Sequence, residues 1–250
     1  MIYKLSKFYL LILFLIIFNS SCNKDRNQND ETNDYYESYR YELWKNLVDN
    51  NYNFDFIGTQ VDNGNYEDYD GQNFDVDHEG SGGYESEDVL NAIDEVLQNI
   101  QTPNIVLLSI GGNDLLDGGN PPSEPISNIN LLVNKLQAHN PAITIFIEQI
   151  APANDATMTM NLTTNINEFN SQIVLFASSL TTSSSKVIAL DMNTNFDESY
   201  LADDVHYNEI GAKFIADIYF LGIQSEYSST NLSDLKILPL GDSRVEGNRP

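Results

Sequence analysis

The sequence predicts an α/β fold in which a parallel β-sheet lies between two layers of helices. Short apolar runs alternate along the chain with longer segments whose apolar residues recur at helical spacing. The short runs are continuously apolar rather than alternating, which is typical of strands buried on both faces of a sheet. A chain of 250 residues is also long enough to bury such a core.

The elements follow in regular order from residue 35. Ser86 is expected to cap the helix that begins after an acidic loop, because Glu87 and Asp88 follow it in the first turn. A fifth strand comes after a serine-rich linker and has ample reach to return to the middle of the sheet. Strands are predicted over 54–59, 104–110, 142–150, 186–192 and 237–241, and helices over about 36–48, 86–100, 126–136, 161–180 and 208–221.

The composition is strongly acidic. The chain has 12 Lys and Arg against 37 Asp and Glu, for a formal net charge of -25 at pH 7. Such a chain repels phosphate backbones, which argues against nucleic acid as a partner. We interpret the charge as a solvated surface that keeps an exported protein in solution.

The N-terminus has the order of a secretory signal. Lys4 and Lys7 precede an apolar run over 10–18 that is far shorter than a membrane-spanning helix needs, and small residues precede Cys22. Residues 1–22 therefore resemble a bacterial lipoprotein signal peptide with Cys22 as the lipidation candidate, although Asn19 departs from the usual aliphatic residue and leaves plain secretion open. Residues 23–34 are polar and predict a flexible tether to a domain over 35–250. We expect a monomer that contacts a membrane only through this lipid anchor at the cell envelope.

Ser243 stands just past the end of the last predicted strand. In open α/β sheets, ligands bind outside the carboxyl ends of the strands, so a serine there is a candidate nucleophile. The G-D-S tripeptide is weak evidence alone, since a serine after a strand can equally cap a helix.

Asp203 and His206 supply the partners that such a serine needs. They are three residues apart, so one turn places them on one side, with the carboxylate able to hold the imidazole Nδ1–H. A serine hydroxyl becomes a nucleophile when a base takes its proton and a third group fixes the tautomer of that base. The alternative is a capping aspartate beside a surface histidine.

Two glycine-containing segments offer donors for a developing negative charge. Asn113 follows two glycines directly after the strand over 104–110, and its amide could donate to an oxyanion. The segment H-E-G-S-G-G-Y over 78–84 could supply a glycine N–H. Each segment could also be an ordinary turn or flexible loop.

The acidic stretch over 62–79 raises the question of a metal. Its oxygen-bearing side chains do not match the spacing of the twelve-residue calcium loop, which has Gly at position six and a bidentate Glu at position twelve. We therefore expect a solvated loop that borders the substrate groove, with neither a metal nor a cofactor, over the alternative of a calcium site.

Together these blocks resemble the SGNH, or GDSL-type, hydrolases, whose four signature blocks are G-D-S, a glycine loop, G-x-N-D and D-x-x-H-x-N. More narrowly, the chain resembles the acetylxylan-esterase-like branch, carbohydrate esterase family three, over nearly all of residues 35–250. The matching segments are I-L-P-L-G-D-S, S-Y-R-Y-E-L-W, F-D-F-I-G-T, D-H-E-G-S-G-G-Y and N-I-V-L-L-S-I-G-G-N-D-L-L. The resemblance implies the flavodoxin-like, three-layer α/β/α fold with a five-stranded parallel sheet.

The order of the blocks departs from the family, in which G-D-S comes first. Here it comes last, and residues 249–250 would continue into residues 35–40 if the ends were joined. The sequence therefore resembles a circular permutation of the family fold, with the G-D-S strand last in sequence and central in the sheet. A truncated second domain and a strand donated to a neighbouring chain remain as alternatives.

The resemblance implies a role for each site residue. Ser243 would be the nucleophile, His206 the general base and acid, and Asp203 the residue that orients it. The Ser243 backbone N–H, the Asn113 amide and the Gly83 N–H would form the oxyanion hole, with Gly82 the alternative because the doubled glycine leaves the register ambiguous. Val245 stands where the family usually has Thr.

The implied function is a serine esterase that hydrolyses O-acyl esters, foremost O-acetyl esters, on a polysaccharide such as xylan. The reaction would proceed through an acyl-enzyme that water releases. Two alternatives remain open at this point: a lysophospholipase or thioesterase of the same class, and a catalytically inactive surface lipoprotein that binds glycans.

Overall fold

The computed structural model describes residues 35–116, 121–229 and 234–250. The predicted signal peptide, Cys22 and the tether over 23–34 lie outside these residues. The predicted α/β fold with a mostly parallel central sheet and flanking helices is confirmed. No helix in the described part of the chain is both long and apolar enough to cross a membrane.

The described part of the chain contains seven strands and seven α-helices. The strands are β1 (Phe54–Phe56), β2 (Gln60–Val61), β3 (Asp77–Gly80), β4 (Ile105–Ser109), β5 (Thr144–Gln149), β6 (Lys186–Asp191) and β7 (Leu235–Gly241). The helices are α1 (Arg40–Asp49), α2 (Ser86–Asn99), α3 (Gly112–Leu116), α4 (Ser123–His139), α5 (Met160–Leu180), α6 (Glu209–Glu226) and α7 (Ser243–Glu246). A short 3₁₀ helix covers Glu198–Tyr200.

The last strand lies in the interior of the sheet. The strand order is β2-β3-β7-β4-β5-β6, and β1 also pairs with β7. On one side β7 runs parallel to β4 over five residue pairs, and on the other side it pairs first with β1 and then with β3. The prediction that the G-D-S strand is central in the sheet is therefore confirmed.

The predicted count of five strands was too low. β1 and β3 are short and occupy one sheet position in succession, β1 beside the start of β7 and β3 beside its end. The two-residue β2 adds an antiparallel edge to β3. Neither β2 nor β3 carries an apolar run, because both are too short and too near the edge to be buried on both faces.

Alternate residues of each central strand pack on opposite faces, which produces three layers. On β4, Val106 and Leu108 pack with α2, α4 and α5, whereas Ile105 and Leu107 pack with α1 and α6. The period-two alternation of strand side chains explains this division, since both faces of the strand are apolar. The sheet is thus covered on both sides, as predicted.

Three local predictions need correction. The N-cap of α2 is Glu85, which forms a capping box with Asp88, because the Ser86 hydroxyl instead donates to buried Asp114. Helix α6 runs on to Glu226, well into the predicted linker. The stretch over 62–79 is not simply solvated, because Asp62 forms an ion pair with buried Arg40.

Candidate active site

The end of β7 forms a sharp turn that presents Ser243. Gly241 ends the strand, and a Cβ at this position would lie 1.9 Å from the Ser109 carbonyl oxygen, so only glycine lets β7 lie this close to β4 here. Asp242 then caps α7 by accepting the Arg244 N–H at 2.9 Å. Ser243 is the first residue of α7 and is 9% exposed.

The loop before α6 presents His206. Asp203 Oδ1 accepts the backbone N–H groups of Val205 at 2.8 Å and His206 at 2.7 Å, which folds the loop into a tight turn. The other oxygen, Asp203 Oδ2, lies 2.7 Å from His206 Nδ1. One carboxylate therefore shapes the loop and also holds the imidazole ring.

The two segments meet at hydrogen-bond distance. His206 Nε2 lies 2.8 Å from Ser243 Oγ. Because Asp203 Oδ2 can only accept at Nδ1, the neutral imidazole carries its proton there and leaves Nε2 free to accept from the serine hydroxyl. This chain of three side chains is able to take a proton from Ser243.

The electrostatics of Asp203 suit that arrangement. Partial burial alone would raise the pKa of this carboxyl. The N–H groups of His206 and Val205 and the imidazole outweigh burial, so the pKa of Asp203 lies below its usual range. The carboxylate is ionised at neutral pH and stabilises a protonated imidazole beside it.

Arg244 connects the serine turn to the histidine loop. Its Nε donates to the Val205 carbonyl at 3.0 Å and its Nη1 donates to the Ala151 carbonyl at 3.1 Å. The guanidinium also lies over the Tyr207 ring, 5.0 Å from its centroid. The residue after Ser243 therefore binds the residue before His206, which fixes the two segments relative to each other.

The two predicted oxyanion donors other than Ser243 lie on neighbouring segments. Asn113 lies on α3 and lines a cavity together with Ser243, and its Nδ2 donates to the Tyr84 carbonyl at 2.9 Å. Gly83 stands next to Tyr84 with φ 79°, and a Cβ there would meet nothing within 4 Å. A Cβ at Gly82 would instead lie 2.7 Å from Glu246 Oε2. The assignment of the donor to Gly83 stays a prediction.

A small apolar cavity opens beside Ser243. Its volume is ≈ 20 Å³, and its wall includes Leu116, Ile150, Ala151, Ala153, Ile166 and Val205. One water-sized group needs about 10–15 Å³ of such volume. The cavity therefore has room for a group about as large as a methyl or a water molecule next to the hydroxyl.

A buried acid lies behind the serine turn. Glu148 on β5 accepts the Ser109 hydroxyl at 2.7 Å, and Ser109 in turn accepts the Asp242 N–H through its carbonyl. Burial raises the pKa of Glu148 to about 7 against the smaller opposing effects of Ser109 and Arg244. This polar layer under the site was not predicted, because Glu148 stands in an otherwise apolar strand segment.

Residues beyond the predicted set also support the site. Asp114 accepts the backbone N–H of Ser86 at 2.9 Å and so fixes the glycine loop to the segment that carries Asn113. The place of Asp114 in the G-x-N-D block could have predicted that it supports the site, whereas no pattern in the sequence predicted such a role for Arg244. Within the described ranges, no group of three or more His, Cys, Asp or Glu side chains could hold a metal ion.

The fold and the site together define a class. A mostly parallel α/β sheet with serine, histidine, aspartate and asparagine side chains at its carboxyl edge is the arrangement of SGNH hydrolases. The model of the GDSL-like Lipase/Acylhydrolase family matches residues 49–214 of this chain. The chain belongs to that family, and it is an esterase.

Solved structures place it near the carbohydrate esterases. The chain is 26% identical to an acetyl esterase mutant crystallised with acetate ion, with a TM-score of 0.69 and coverage of 80% of this chain and 95% of that one. A carbohydrate esterase family 3 structure from Talaromyces cellulolyticus gives 26% identity, a TM-score of 0.68 and the same coverage. The Clostridium thermocellum family 3 carbohydrate esterase is 27% identical to this chain, with a TM-score of 0.60 and coverage of 75% of this chain and 86% of that one.

One curated relative is similar over a shorter stretch. It is named "Putative endoglucanase X", from Acetivibrio thermocellus, and it is 30% identical over 129 residues, which are 49% of this chain and 50% of that protein. The chain spans about half the length of this curated relative. The predicted resemblance to SGNH hydrolases and to carbohydrate esterase family three is confirmed by the family match and the three structures.

Proposed function

We propose that the protein removes O-acetyl groups from a carbohydrate, foremost a polysaccharide such as xylan, with Ser243, His206 and Asp203 as its catalytic triad. The observation that carries the proposal is the chain of contacts among these three side chains. Asp203 Oδ2 lies 2.7 Å from His206 Nδ1, and His206 Nε2 lies 2.8 Å from Ser243 Oγ. These are hydrogen-bond distances for the heavy atoms of a nucleophile, a base and its orienting carboxylate.

The reaction follows from this geometry in two halves. Ser243 Oγ attacks the ester carbonyl while His206 Nε2 takes its proton, and the protonated imidazole then gives that proton to the departing sugar oxygen. A water molecule next attacks the acetyl-serine with His206 again as base. Collapse of the second tetrahedral intermediate releases acetate and returns the proton to Ser243. Asp203 stabilises the imidazolium in both halves.

The oxyanion of each intermediate requires hydrogen-bond donors. Because Ser243 opens α7, its backbone N–H has no acceptor within that helix, and no other acceptor for it is found among the residues that the structure describes. Asn113 lines the cavity with its amide, and Gly83 is the third donor that we propose. Each donor of this kind contributes about 10²- to 10³-fold to the rate.

The size of the acyl group is proposed from the cavity beside Ser243. A volume of ≈ 20 Å³ bounded by Ile150, Ala153 and Ile166 accommodates the methyl of an acetyl group and leaves little enclosed space for a longer chain. The similarity to an acetyl esterase and to two carbohydrate esterases supports the same choice and supports a sugar as the alcohol.

The first test compares the wild-type protein with Ser243→Ala on an aryl acetate. We expect wild-type turnover and a loss on the order of 10⁴-fold or more in the variant, since removal of the nucleophile leaves only binding and the oxyanion donors. Equal background hydrolysis by both proteins would instead support a glycan-binding protein without activity. Circular dichroism of both proteins checks that the variant is folded.

The second test concerns the substrate. A series of aryl esters from acetate to octanoate should show kcat/KM falling steeply beyond acetate, and acetylated xylan should release acetate. A preference for long chains, or for a thioester or lysophospholipid, would contradict the proposal and favour the lipase-like alternative.

The order of the blocks and the place of action complete the proposal. We propose that the domain over 35–250 is a circular permutation, which is supported by the central position of β7 and by a family match that ends at residue 214. We further propose that the protein is exported, anchored through Cys22 at the bacterial cell envelope or otherwise secreted, and that it acts as a monomer.

A further inference from the structure

An aromatic ring covers one face of the His206 imidazole. The ring of Tyr36 stacks on it with the centroids 3.9 Å apart and the planes inclined by 18°. Tyr36 comes from the segment before α1, about 170 residues away in sequence from His206. None of the four signature blocks includes it, so the resemblance to the family gave it no role.

Tyr36 is held in place through its backbone on both sides. Its N–H donates to the Asn248 carbonyl at 3.2 Å, and its carbonyl accepts the Asn248 N–H at 3.0 Å. The next residue, Glu37, donates its N–H to the Tyr207 carbonyl at 2.8 Å. The segment is thus bonded both to the chain that follows Ser243 and to the residue that follows His206.

The contact with Asp203 alone leaves one motion of the His206 ring unrestrained. Asp203 Oδ2 fixes Nδ1, but the ring can still tilt about the line through that contact, because the terminal torsion of a histidine is broad. Such a tilt moves Nε2 away from Ser243 Oγ. A parallel ring at 3.9 Å blocks the tilt toward its own side.

We propose that Tyr36 is a positioning residue for the base, an inference that rests on the proposed function. Its ring keeps the imidazole in the plane that aims Nε2 at Ser243, and its π-face stabilises the imidazolium that forms when His206 takes the serine proton. The backbone pairing of Tyr36 with Asn248 connects Tyr36 to the segment that follows Ser243. The segment that carries Tyr36 therefore aligns both the base and the nucleophile.

The kinetic test uses Tyr36→Leu and Tyr36→Phe in the full-length protein. We expect Tyr36→Leu to lower kcat for an aryl acetate about threefold to tenfold, the range of an aromatic pair, with KM nearly unchanged. Tyr36→Phe keeps the ring and should keep kcat within about twofold. Tyr52→Leu is the matched control, because Tyr52 is a half-buried tyrosine that contacts Phe220 and Tyr227 rather than His206.

A spectroscopic readout is independent of activity. The chain has three histidines, His78, His139 and His206, so their imidazole protons are readily assigned by NMR. The His206 protons should be shifted upfield by the ring current of Tyr36 in the wild type and in Tyr36→Phe. They should move downfield in Tyr36→Leu, whereas those of His78 and His139 should stay in place.

The outcomes separate the two proposals. If Tyr36→Leu keeps full kcat, if Tyr36→Phe loses as much as Tyr36→Leu, or if Tyr52→Leu loses as much, then the ring of Tyr36 does not position the base. Unshifted His206 protons in the wild type would refute the stack itself. A wild type without esterase activity but with shifted protons would overturn the proposed function, and with it the catalytic role of Tyr36, while the stack would stand.

Discussion

The two halves of the active site are built in different ways. His206 and Asp203 belong to one short loop and are oriented by hydrogen bonds between residues two and three apart, with the Asp203 side chain 49% exposed. Ser243 is buried, and long-range contacts hold the residues on either side of it. Gly241 pairs with β4 and β3, and the Val245 carbonyl accepts from Ser38 and Arg40 near the start of the described chain. The turn that carries the base is formed by local hydrogen bonds and is then joined to other segments by Arg244 and Tyr36, whereas the turn that carries the nucleophile is itself placed by long-range contacts.

This difference is compatible with the circular permutation that we propose, in which the order of the blocks changes while the site keeps its geometry. A locally bonded loop keeps its shape wherever it stands in the chain. The nucleophile half needs only that β7 lies between its neighbours, and sheet pairing depends on position in space rather than on order in sequence. We expect substitutions in the base half to affect chemistry and those in the nucleophile half to affect folding.

The largest effect is expected for Asp203→Asn in the base half. The amide would favour the wrong tautomer of His206, so kcat should fall about 10⁴-fold. The melting temperature should change little, because the side chain is half exposed. Asp204→Asn is the control, since Asp204 contacts Asn154 instead of His206. A large loss of stability in Asp203→Asn would contradict the division into two halves.

Arg40→Met tests the nucleophile half through folding. Arg40 is fully buried and donates to the carbonyls of Val245 and Glu246, both at 2.8 Å, and to Asp62. Removing one partner of a buried ion pair costs about 3–5 kcal/mol, which should appear in urea unfolding. Lys213→Met breaks an exposed pair with Asp217 and should cost at most about 1 kcal/mol. Similar losses in both variants would refute a special role for Arg40.

The smallest effect is expected for the pH dependence of the free energy of unfolding, which comes from Glu148, the buried acid behind the Ser243 turn. Burial raises the pKa of Glu148 to about 7, so the folded state binds this proton more tightly than the unfolded state does. The stability that the protonated Glu148 contributes to the folded state is therefore fully present below about pH 4.5 and is lost as the pH rises through 7. Burial also raises the pKa of Glu37 to about 7 and that of Asp75 to about 6, so both carboxyls add to the fall in stability with rising pH.

Glu148→Gln isolates the contribution of that one carboxyl. The free energy of unfolding of the wild type should fall between pH 5 and pH 8, and the variant should lose on the order of 2–3 kcal/mol less over this range. Parallel curves for the two proteins would show that Glu148 is not the group responsible. Glu226→Gln, at a partly exposed carboxylate that pairs with Lys186 away from the site, serves as the control.

The sequence was sufficient for the fold class and for the residues that meet at the sheet edge. Apolar runs located the five main strands, and the signature blocks pointed to Ser243, His206 and Asp203, which the structure places in contact. These features could be predicted because each depends on a short segment whose pattern carries its own physical reason. Their catalytic roles remain predictions.

The missed features depend on contacts between distant segments. In the sequence, Arg244 looks like any surface arginine and Tyr36 looks like the first residue of the predicted helix over 36–48. Only the assembled chain, in which that helix begins at Arg40, shows what they contact. The same holds for β3, which is four residues long and is a strand only because β7 offers it a partner. No local pattern encodes such contacts.

The interior position of β7 has a consequence for folding. Six strands precede in sequence the strand that must lie between them, so β4 presents an unpaired edge until β7 has been placed. Exposed strand edges favour association with other chains, and pairing of distant segments is slow. Until β7 is in place, the chain should therefore be prone to associate with other chains.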